Sequence, residues 1–173
     1  MTYANIHVLV LDDDEAQGRR LAGPFAAWGW GVSHMSGDPR PALALLADVP
    51  FDLVLLDLRA AEREHYAFLR ARRDDPRLSA IPVVITAWAA APLPRLARCI
   101  ELGASDFIIH PDHPVLFRAR LQNILQRKLM QDQAATALEA FNEIEKIADD
   151  LRLVILPIGV ALSAEPEYDR LIA

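Results

Sequence analysis

The sequence predicts an α/β fold built on a five-stranded parallel sheet with helices on both faces. Five short apolar runs rich in β-branched residues alternate with stretches whose apolar residues recur every three or four positions. This alternation is typical of a parallel sheet that is buried on both faces. The predicted strands cover residues 6–11, 31–35, 52–56, 82–86 and 107–109.

Helices are predicted between these strands. Asp38 precedes Pro39, which is typical of an N-cap followed by proline in the first helical turn, and Gly103 stands where glycine often ends a helix. Five strand–helix units without a G-x-G-x-x-G motif fit the doubly wound, flavodoxin-like strand order 2-1-3-4-5. The predicted helices cover residues 15–28, 39–47, 64–72 and 93–102, and an extended C-terminal helix begins near residue 115.

Acidic residues follow the first and third strands, whose carboxyl ends form the edge where ligands bind in this strand order. Asp12 and Asp13 follow the first strand and Asp57 follows the third. Neighbouring carboxylates repel one another unless a cation neutralises them, and oxygen ligands suit Mg²⁺. Alternatively, the first acidic run only caps the next helix. Capping does not explain the acid on the neighbouring strand, so we favour a Mg²⁺ site.

Composition excludes several functional classes. The 173 residues are 53% apolar and 24% charged, and no apolar run reaches the length of about 18 residues that suggests a membrane span. We therefore expect a cytoplasmic protein that does not associate with membranes. A single cysteine, Cys99, excludes an internal disulfide. Residues 1–127 carry 14 arginines and 15 acidic residues, and residues 128–173 carry 4 basic and 9 acidic residues, so no nucleic acid is expected as a partner.

Four segments resemble the response-regulator receiver domain of two-component systems. They occur in the family's order and at its spacing across residues 9–111. The segment LVLDDD (9–14) is similar to the acidic pair after the family's first strand, and DLVLLD (52–57) is similar to its phosphoacceptor strand. The segment IPVVITA (81–87) is similar to the family's strand with a terminal hydroxyl, and GASDFIIHP (103–111) is similar to its last strand.

The resemblance implies a phosphorylatable switch rather than an enzyme that acts on an external substrate. Asp57 would accept a phosphoryl group from a sensor histidine kinase or a phosphotransfer protein. Mg²⁺ would be held by Asp12 or Asp13, by Asp57 and by the backbone carbonyl of Arg59. Catalysis would then consist mainly of positioning and charge neutralisation.

The resemblance also names the residues that would transmit the signal. Thr86 would bind the phosphoryl oxygens, and Phe107 would fill the space that Thr86 vacates. His110 stands where the family has a lysine, and residues 1–127 contain no lysine at all. A protonated His110 would supply part of the missing charge, whereas a neutral imidazole would leave a slow or inactive site.

Two alternatives to a working receiver stay open at this point. The first is a pseudo-receiver, an interaction or dimerisation module of the same fold without phosphotransfer. The second is an autonomous enzyme on a flavodoxin-like scaffold, which is disfavoured because the acids after strand one would repel a flavin phosphate.

The segment after Asp57 departs from the family. Its sequence, LRAAEREHY (58–66), lacks the proline and glycine that the family usually has there and is rich in helix formers. We therefore expect it to be helical, so that the third helix begins a turn earlier than residue 64.

The C-terminal region predicts a long helix that dimerises. After residue 115 there is no proline until Pro157 and no glycine until Gly159. Pro157 is expected to end or kink the helix. Apolar residues at alternating steps of three and four predict a parallel coiled-coil homodimer; the alternative is a stripe that folds back on the receiver. The seam consists of Phe141, Ile144, Ala148, Leu151, Ile155 and Ile158.

We expect three parts along the chain: a receiver domain at 1–120, a helical linker at 121–156 and the start of a following domain at 157–173. The last segment is similar to sequences that lead into GAF sensory domains. The chain would then be the N-terminal part of a longer signalling protein whose output domain is absent.

Overall fold

The structure is a computed structural model that describes residues 6–35, 37–88, 91–110 and 113–162, with side chains described up to residue 149. Contacts divide the chain into two compact units that meet between Lys128 and Leu129. Within the described part of the chain, no helix combines the length and apolar composition needed to cross a membrane.

Strands and helices alternate along the described residues. The strands are β1 (His7–Leu11), β2 (Gly31–Met35), β3 (Leu53–Asp57), β4 (Val83–Trp88) and β5 (Asp106–His110). The helices are α1 (Glu15–Ala27), α2 (Pro39–Asp48), α3 (Leu58–Glu62), α4 (Ala67–Asp74), α5 (Pro76–Ser79), α6 (Leu93–Glu101) and α7 (Pro114–Leu162), and a 3₁₀ turn, Arg63–His65, separates α3 from α4.

The five strands form one parallel sheet in the order β2-β1-β3-β4-β5. This confirms the predicted doubly wound, flavodoxin-like topology. Strands β3, β4 and β5, which carry site residues, end one or two residues later than predicted. As a result Asp57 and His110 are the last residues of their strands and do not belong to the loops that follow.

Each face of the sheet carries its own apolar core. Val8 and Val10 of β1 point to one cluster and Leu9 and Leu11 to the other, as the alternation of side chains along a strand requires. The first cluster is completed by α1 and the start of α7, and the second by α2, α3, α4 and α6. Burial on both faces explains why the strands are nearly continuous apolar runs.

The segment after β3 is helical, as predicted, but it is not one helix. The expected helix at 64–72 is wrong in its first part, because Glu64, His65 and Tyr66 have positive φ angles of 47°, 57° and 64°. This left-handed backbone costs about 1 kcal/mol or more per non-glycine residue, and it turns the chain between α3 and α4. The early helical turn that we expected is α3, which begins immediately after Asp57.

A buried arginine ties α4 to the sheet. Arg72 is 4% exposed, and its guanidinium donates hydrogen bonds to the backbone carbonyls of Ser79, Ile81 and Gly103. Burial lowers the pKa of Arg72 to about 10. The three carbonyls belong to α5, to the turn before β4 and to the turn before β5, so one side chain joins three separate segments.

The start of α7 belongs to the first unit. Phe117, Leu121, Ile124 and Leu125 are buried against the sheet, so this unit ends at Lys128 and not at residue 120 as expected. α7 also continues through Pro157 to Leu162. The helix therefore does not end at this proline. A proline removes one backbone hydrogen bond and strains the preceding turn, but a helix can continue past it.

The second unit exposes apolar side chains along α7. Phe141, Ile144 and Ala148 of the predicted seam are all exposed, Phe141 by 61%. The side chains of Leu151, Ile155 and Ile158 lie outside the described residues, as does the segment 163–173 that was compared with the approach to a GAF domain.

Candidate functional site

The carboxyl edge of the sheet collects three of the predicted site residues. β1 and β3 are neighbours with Leu11 opposite Leu56, so Asp12 follows β1 beside the end of β3. Thr86 of β4 lies opposite Asp57 of β3. Asp12, Asp57 and Thr86 are 1%, 2% and 1% exposed. Two carboxyl groups and a hydroxyl are thus buried at one edge of an apolar sheet.

Asp57 is the N-cap of α3. Its Oδ1 accepts hydrogen bonds from the backbone N–H groups of Arg59 (2.9 Å) and Ala60 (3.4 Å) and from Nε of the Arg59 side chain (3.1 Å). Among the described residues, every hydrogen bond to this carboxyl group involves Oδ1. The second oxygen, Oδ2, is therefore the one available for chemistry.

Arg59 extends across the two buried acids. Besides its contact with Asp57, its Nη2 lies 3.9 Å from Oδ1 of Asp12. The hydrogen bond and the charge of Asp57 raise the pKa of Arg59 above its ordinary value. Arg59 lies in the first turn of α3, so its N–H faces Asp57 while its carbonyl points along the helix away from the acids.

Asp12 is the acid with the least compensation. Its Oδ1 accepts a hydrogen bond from the backbone N–H of Asp14 (2.9 Å), but Oδ2 is buried and has no hydrogen-bond partner among the described residues. Burial raises the pKa of Asp12, and the charge of Asp57 adds to this effect. An orphaned buried carboxylate oxygen beside a second carboxylate fits a site that accepts a cation.

Among the acids that follow β1, capping accounts for Asp14 alone, and Asp57 caps α3 in the same way. The Asp14 carboxyl accepts from the backbone N–H groups of Ala16 (3.0 Å) and Gln17 (3.2 Å) and from the Gln17 side chain (2.6 Å). The hydrogen bond from the Gln17 side chain is the main cause that lowers the pKa of Asp14. Asp14 is thus the N-cap of α1, and Asp12 has no such role.

Asp13 is directed elsewhere. Its Oδ1 accepts from the backbone N–H of Gly37 (3.0 Å), and its Oδ2 lies 2.5 Å from Nη2 of Arg63. In the part of the chain that the structure describes, no group of three His, Cys, Asp or Glu side chains is arranged to hold a metal ion. The pair that fits a divalent cation is Asp12 with Asp57, to which water would supply further oxygen ligands.

A cavity of about 300 Å³ opens beside Asp57. One wall is joined to α3 by an ion pair in which Arg95 of α6 donates to both carboxylate oxygens of Glu62. Asp57 shares the lining of this cavity with two arginines, Arg59 and Arg95. Its lining comprises Gln17, Asp57, Leu58, Arg59, Ala87, Trp88, Ala91, Pro92 and Arg95.

His110 is placed among aromatic rings. It is 8% exposed, and its ring centroid lies 5.1 Å from that of Trp88 and 5.6 Å from that of Phe117. It lines a second cavity, of about 160 Å³, on which Trp88 also borders. Trp88 thus borders both this cavity and the one beside Asp57.

Phe107 occupies β5 opposite Ile85 of β4. It is half-buried and packs against the core on the α6 side, and its carbonyl accepts a hydrogen bond from Arg120 (3.3 Å). Its ring is therefore one strand away from Thr86 and part of the layer that covers the sheet.

Comparison with known proteins identifies the family. No protein-family model matches the chain. The response regulator PleD of Caulobacter vibrioides is 35% identical over 127 residues, which are 73% of this chain and 27% of PleD. The two-component response regulator ORR11 of Oryza sativa subsp. indica is 32% identical over 109 residues, which are 62% of this chain and 73% of that protein. The chain belongs to the response-regulator receiver family.

Solved structures agree with this assignment. The receiver domain of a signal transduction histidine kinase from Syntrophus aciditrophicus is 27% identical, with a TM-score of 0.60 over 69% of this chain and 89% of that chain. A CheY-like receiver from Methanospirillum hungatei shares the fold at 18% identity, with a TM-score of 0.63 over 74% of this chain and 99% of that chain. The receiver spans only about a quarter of PleD, at 27% of its length.

Sequence reasoning missed the arginines that meet the acids of this receiver. Arg59 and Arg63 are four residues apart, and Glu62 lies between them. Spacing of this kind places charges on neighbouring turns of a helix, and the segment was already expected to be helical. The signal was therefore present in LRAAERE (58–64), but nothing in the sequence alone directs those side chains toward the acids.

Proposed function

We propose that the chain is the receiver module of a phosphorelay response regulator in which Asp57 accepts a phosphoryl group with the help of Mg²⁺. The observation that carries the proposal is the buried Asp12–Asp57 pair. One Asp12 oxygen has no hydrogen-bond partner among the described residues, and a cavity opens beside Asp57. Membership of the receiver family supports it.

The proposed reaction is a single displacement at the phosphorus atom. Oδ2 of Asp57 attacks the phosphorus atom in line, the bond from phosphorus to the donor breaks, and its electron pair leaves with the donor. Mg²⁺, held by Asp12 and Asp57, would offset the charge of the phosphoryl oxygens. Before the cation binds, Arg59 of α3 supplies a permanent positive charge beside Asp57. The backbone carbonyl of Arg59 is the third protein ligand that we propose for the cation.

Thr86 and Phe107 are the proposed switch. Thr86 is buried beside Asp57, so its hydroxyl lies on the strand next to the phosphorylated residue. Movement of this hydroxyl toward the phosphoryl group would make room for the Phe107 ring. His110 is proposed to supply positive charge from β5, where its ring packs beside those of Trp88 and Phe117.

The proposed partners follow from this function. A sensor histidine kinase or a phosphotransfer protein would donate the phosphoryl group in the cytoplasm, and a second copy of the chain would pair through the exposed face of α7. The receiver would pass its signal through a linker beginning after Lys128 to a following domain, of GAF type, that starts within 157–173. The receiver itself would not be the enzyme of the assembly.

The second candidate is a pseudo-receiver without phosphotransfer. Two observations favour it: Oδ1 of Asp57 is already satisfied by three donors of α3, and the family lysine is replaced by a histidine that packs against aromatic rings. In that case the sheet edge would be a fixed structure and the module would act through dimerisation alone.

Phosphorylation in vitro separates the two candidates. The full chain is incubated with a small phosphodonor and Mg²⁺, and intact mass is compared among the wild type, Asp57→Asn and His110→Lys. A receiver gains one phosphoryl group, Asp57→Asn gains none, and His110→Lys gains it faster. Beryllofluoride should quench or enhance the fluorescence of Trp88, which a Trp88→Phe variant identifies. An inert wild type and an inert His110→Lys would establish the pseudo-receiver.

A further inference from the structure

We propose that Arg59 is a resident counter-ion of the acidic pair, and that a divalent cation binds only by displacing its guanidinium from Asp12 and Asp57. The inference rests on the proposed function only in that both concern the same two carboxylates. It assigns to the Arg59 side chain a role that the receiver motif does not contain.

The geometry places one guanidinium on both acids. Nε of Arg59 is 3.1 Å from Oδ1 of Asp57, and Nη2 is 3.9 Å from Oδ1 of Asp12. A divalent cation that bridges the two carboxyl groups needs oxygen atoms of this same pair. The guanidinium and the cation therefore compete for one position.

Exposure shows which group can leave. The Asp12 and Asp57 side chains are 1% and 3% exposed, whereas the Arg59 side chain is 58% exposed. The acids are fixed in the sheet edge, and the arginine can turn into water without opening the core. Displacement is thus a side-chain rotation and needs no unfolding.

The charges of the site both favour and oppose replacement of the guanidinium by a divalent cation. A single guanidinium cannot neutralise two carboxylates, and Oδ2 of Asp12 has no hydrogen-bond partner among the described residues. A divalent cation supplies the second charge, but it gives up part of its hydration and must break the charge-assisted hydrogen bond from Arg59 to Asp57 and the ion pair with Asp12. Arginine stays protonated throughout the accessible pH range, so only a competing cation removes the block.

The surrounding contacts hold α3 in place during this exchange. Arg63 remains bound to Asp13, and Glu62 remains bound to Arg95 of α6. Neither pair uses a carboxylate of the Asp12–Asp57 site. Removing Arg59 from the acids therefore leaves α3 anchored at its far end.

The test is a cation titration of the full chain without any phosphodonor. Mn²⁺ and Mg²⁺ affinities are measured by calorimetry for the wild type, Arg59→Gln and Arg73→Gln. Arg73 pairs with Asp74 on the surface of α4, so its replacement removes the same charge far from the α3 contacts. We expect Arg59→Gln to bind about three- to tenfold more tightly than the wild type, and Arg73→Gln to match the wild type.

A second readout follows the arginine in the wild type itself. The Nε–H of Arg59, assigned by its absence in Arg59→Gln, should lose protection from solvent exchange in NMR spectra as Mg²⁺ is added. Three results would overturn the inference. They are equal or weaker cation binding by Arg59→Gln, no binding by either protein across the millimolar range, and an Nε–H signal that does not change when Mg²⁺ is added. Failure of Asp57 to take up a phosphoryl group would overturn the proposed function and leave these results unaffected.

Discussion

A Cβ atom added to Gly37 would lie 2.2 Å from the Cβ of Ala60 and 3.2 Å from its Cα. Gly37 precedes α2 and Ala60 lies in α3, so the backbone at Gly37 packs closely against the methyl group of Ala60. The N–H of Gly37 also donates to Asp13. The absence of a side chain at position 37 is what allows α3 to lie close to the acidic edge.

Gly37→Ala should therefore destabilise the receiver by about 1–3 kcal/mol through overpacking. Ala60→Gly alone should cost about 1 kcal/mol, as glycine does in a helix, but it removes the atom that clashes. The double variant should be more stable than the sum of the single losses predicts. Urea denaturation measures all three, with Gly23→Ala as control, since no atom lies within 4 Å of its added Cβ. Strictly additive losses would contradict the contact.

Asp12→Asn should stabilise the fold by on the order of 1 kcal/mol at neutral pH, because an ionised carboxyl group is replaced by a neutral one at a buried site. Burial raises the pKa of Asp12 above its ordinary value of 3.8. Below that value Asp12 is protonated in both the folded and unfolded states and costs nothing. As the pH rises through the raised pKa, the cost of ionising it in the folded state develops fully.

The gain from Asp12→Asn should accordingly be absent in acid and complete at neutral pH. Unfolding free energies measured in chelator at several pH values check this, with the exposed Asp48→Asn as control. A gain that does not depend on pH would show that the charge of Asp12 is not its source.

Much of this site is predictable from the sequence, because strand periodicity fixes where side chains go. The alternation in β1 and β3 places Asp12 and Asp57 at one edge, and parallel pairing makes them neighbours. The direction of Asp13 was not predictable. It depends on Gly37 and Arg63, which come from segments with no periodic pattern of their own.

The other differences between expectation and structure have local causes. The turn that splits the predicted helix is formed by Glu64, His65 and Tyr66, which have left-handed backbone conformations. None of them is glycine, so the residue types did not indicate a turn. The sequence around His110 does not indicate whether its neighbours in the fold are aromatic or acidic. Its contacts with Trp88 and Phe117 arise from β4 and α7, which meet only in the folded chain.

Arg72→Met should destabilise the fold by about 3 kcal/mol. Methionine fills much of the volume but leaves the carbonyls of Ser79, Ile81 and Gly103 without their donor, and a buried unsatisfied carbonyl costs about 1–3 kcal/mol. Chemical denaturation measures the loss. The adjacent exposed Arg73→Met should change stability by no more than about 0.5 kcal/mol. Equal effects at the two positions would refute the role of Arg72.

Phe141→Glu should convert a dimer of the full chain into a monomer, since it places a charge in the exposed apolar seam of α7. Sedimentation velocity measures the change, and Glu139→Gln, outside the seam, should leave the dimer intact. A chain ending at Lys128 should be a folded monomer, because the buried residues Phe117, Leu121, Ile124 and Leu125 are retained. A full-length wild type that sediments as a monomer at high concentration would exclude the coiled coil.

The single guanidinium of Arg72 also links the opening motions of segments that are distant in sequence. Any local fluctuation that moves α5, the turn before β4 or the turn before β5 away from Arg72 leaves a charge buried without one of its acceptors. Amide hydrogens of these three segments should therefore exchange with deuterium together, as one cooperative unit. The receiver would then have one rigid block on the β4 side of the sheet, although its three segments are distant in sequence.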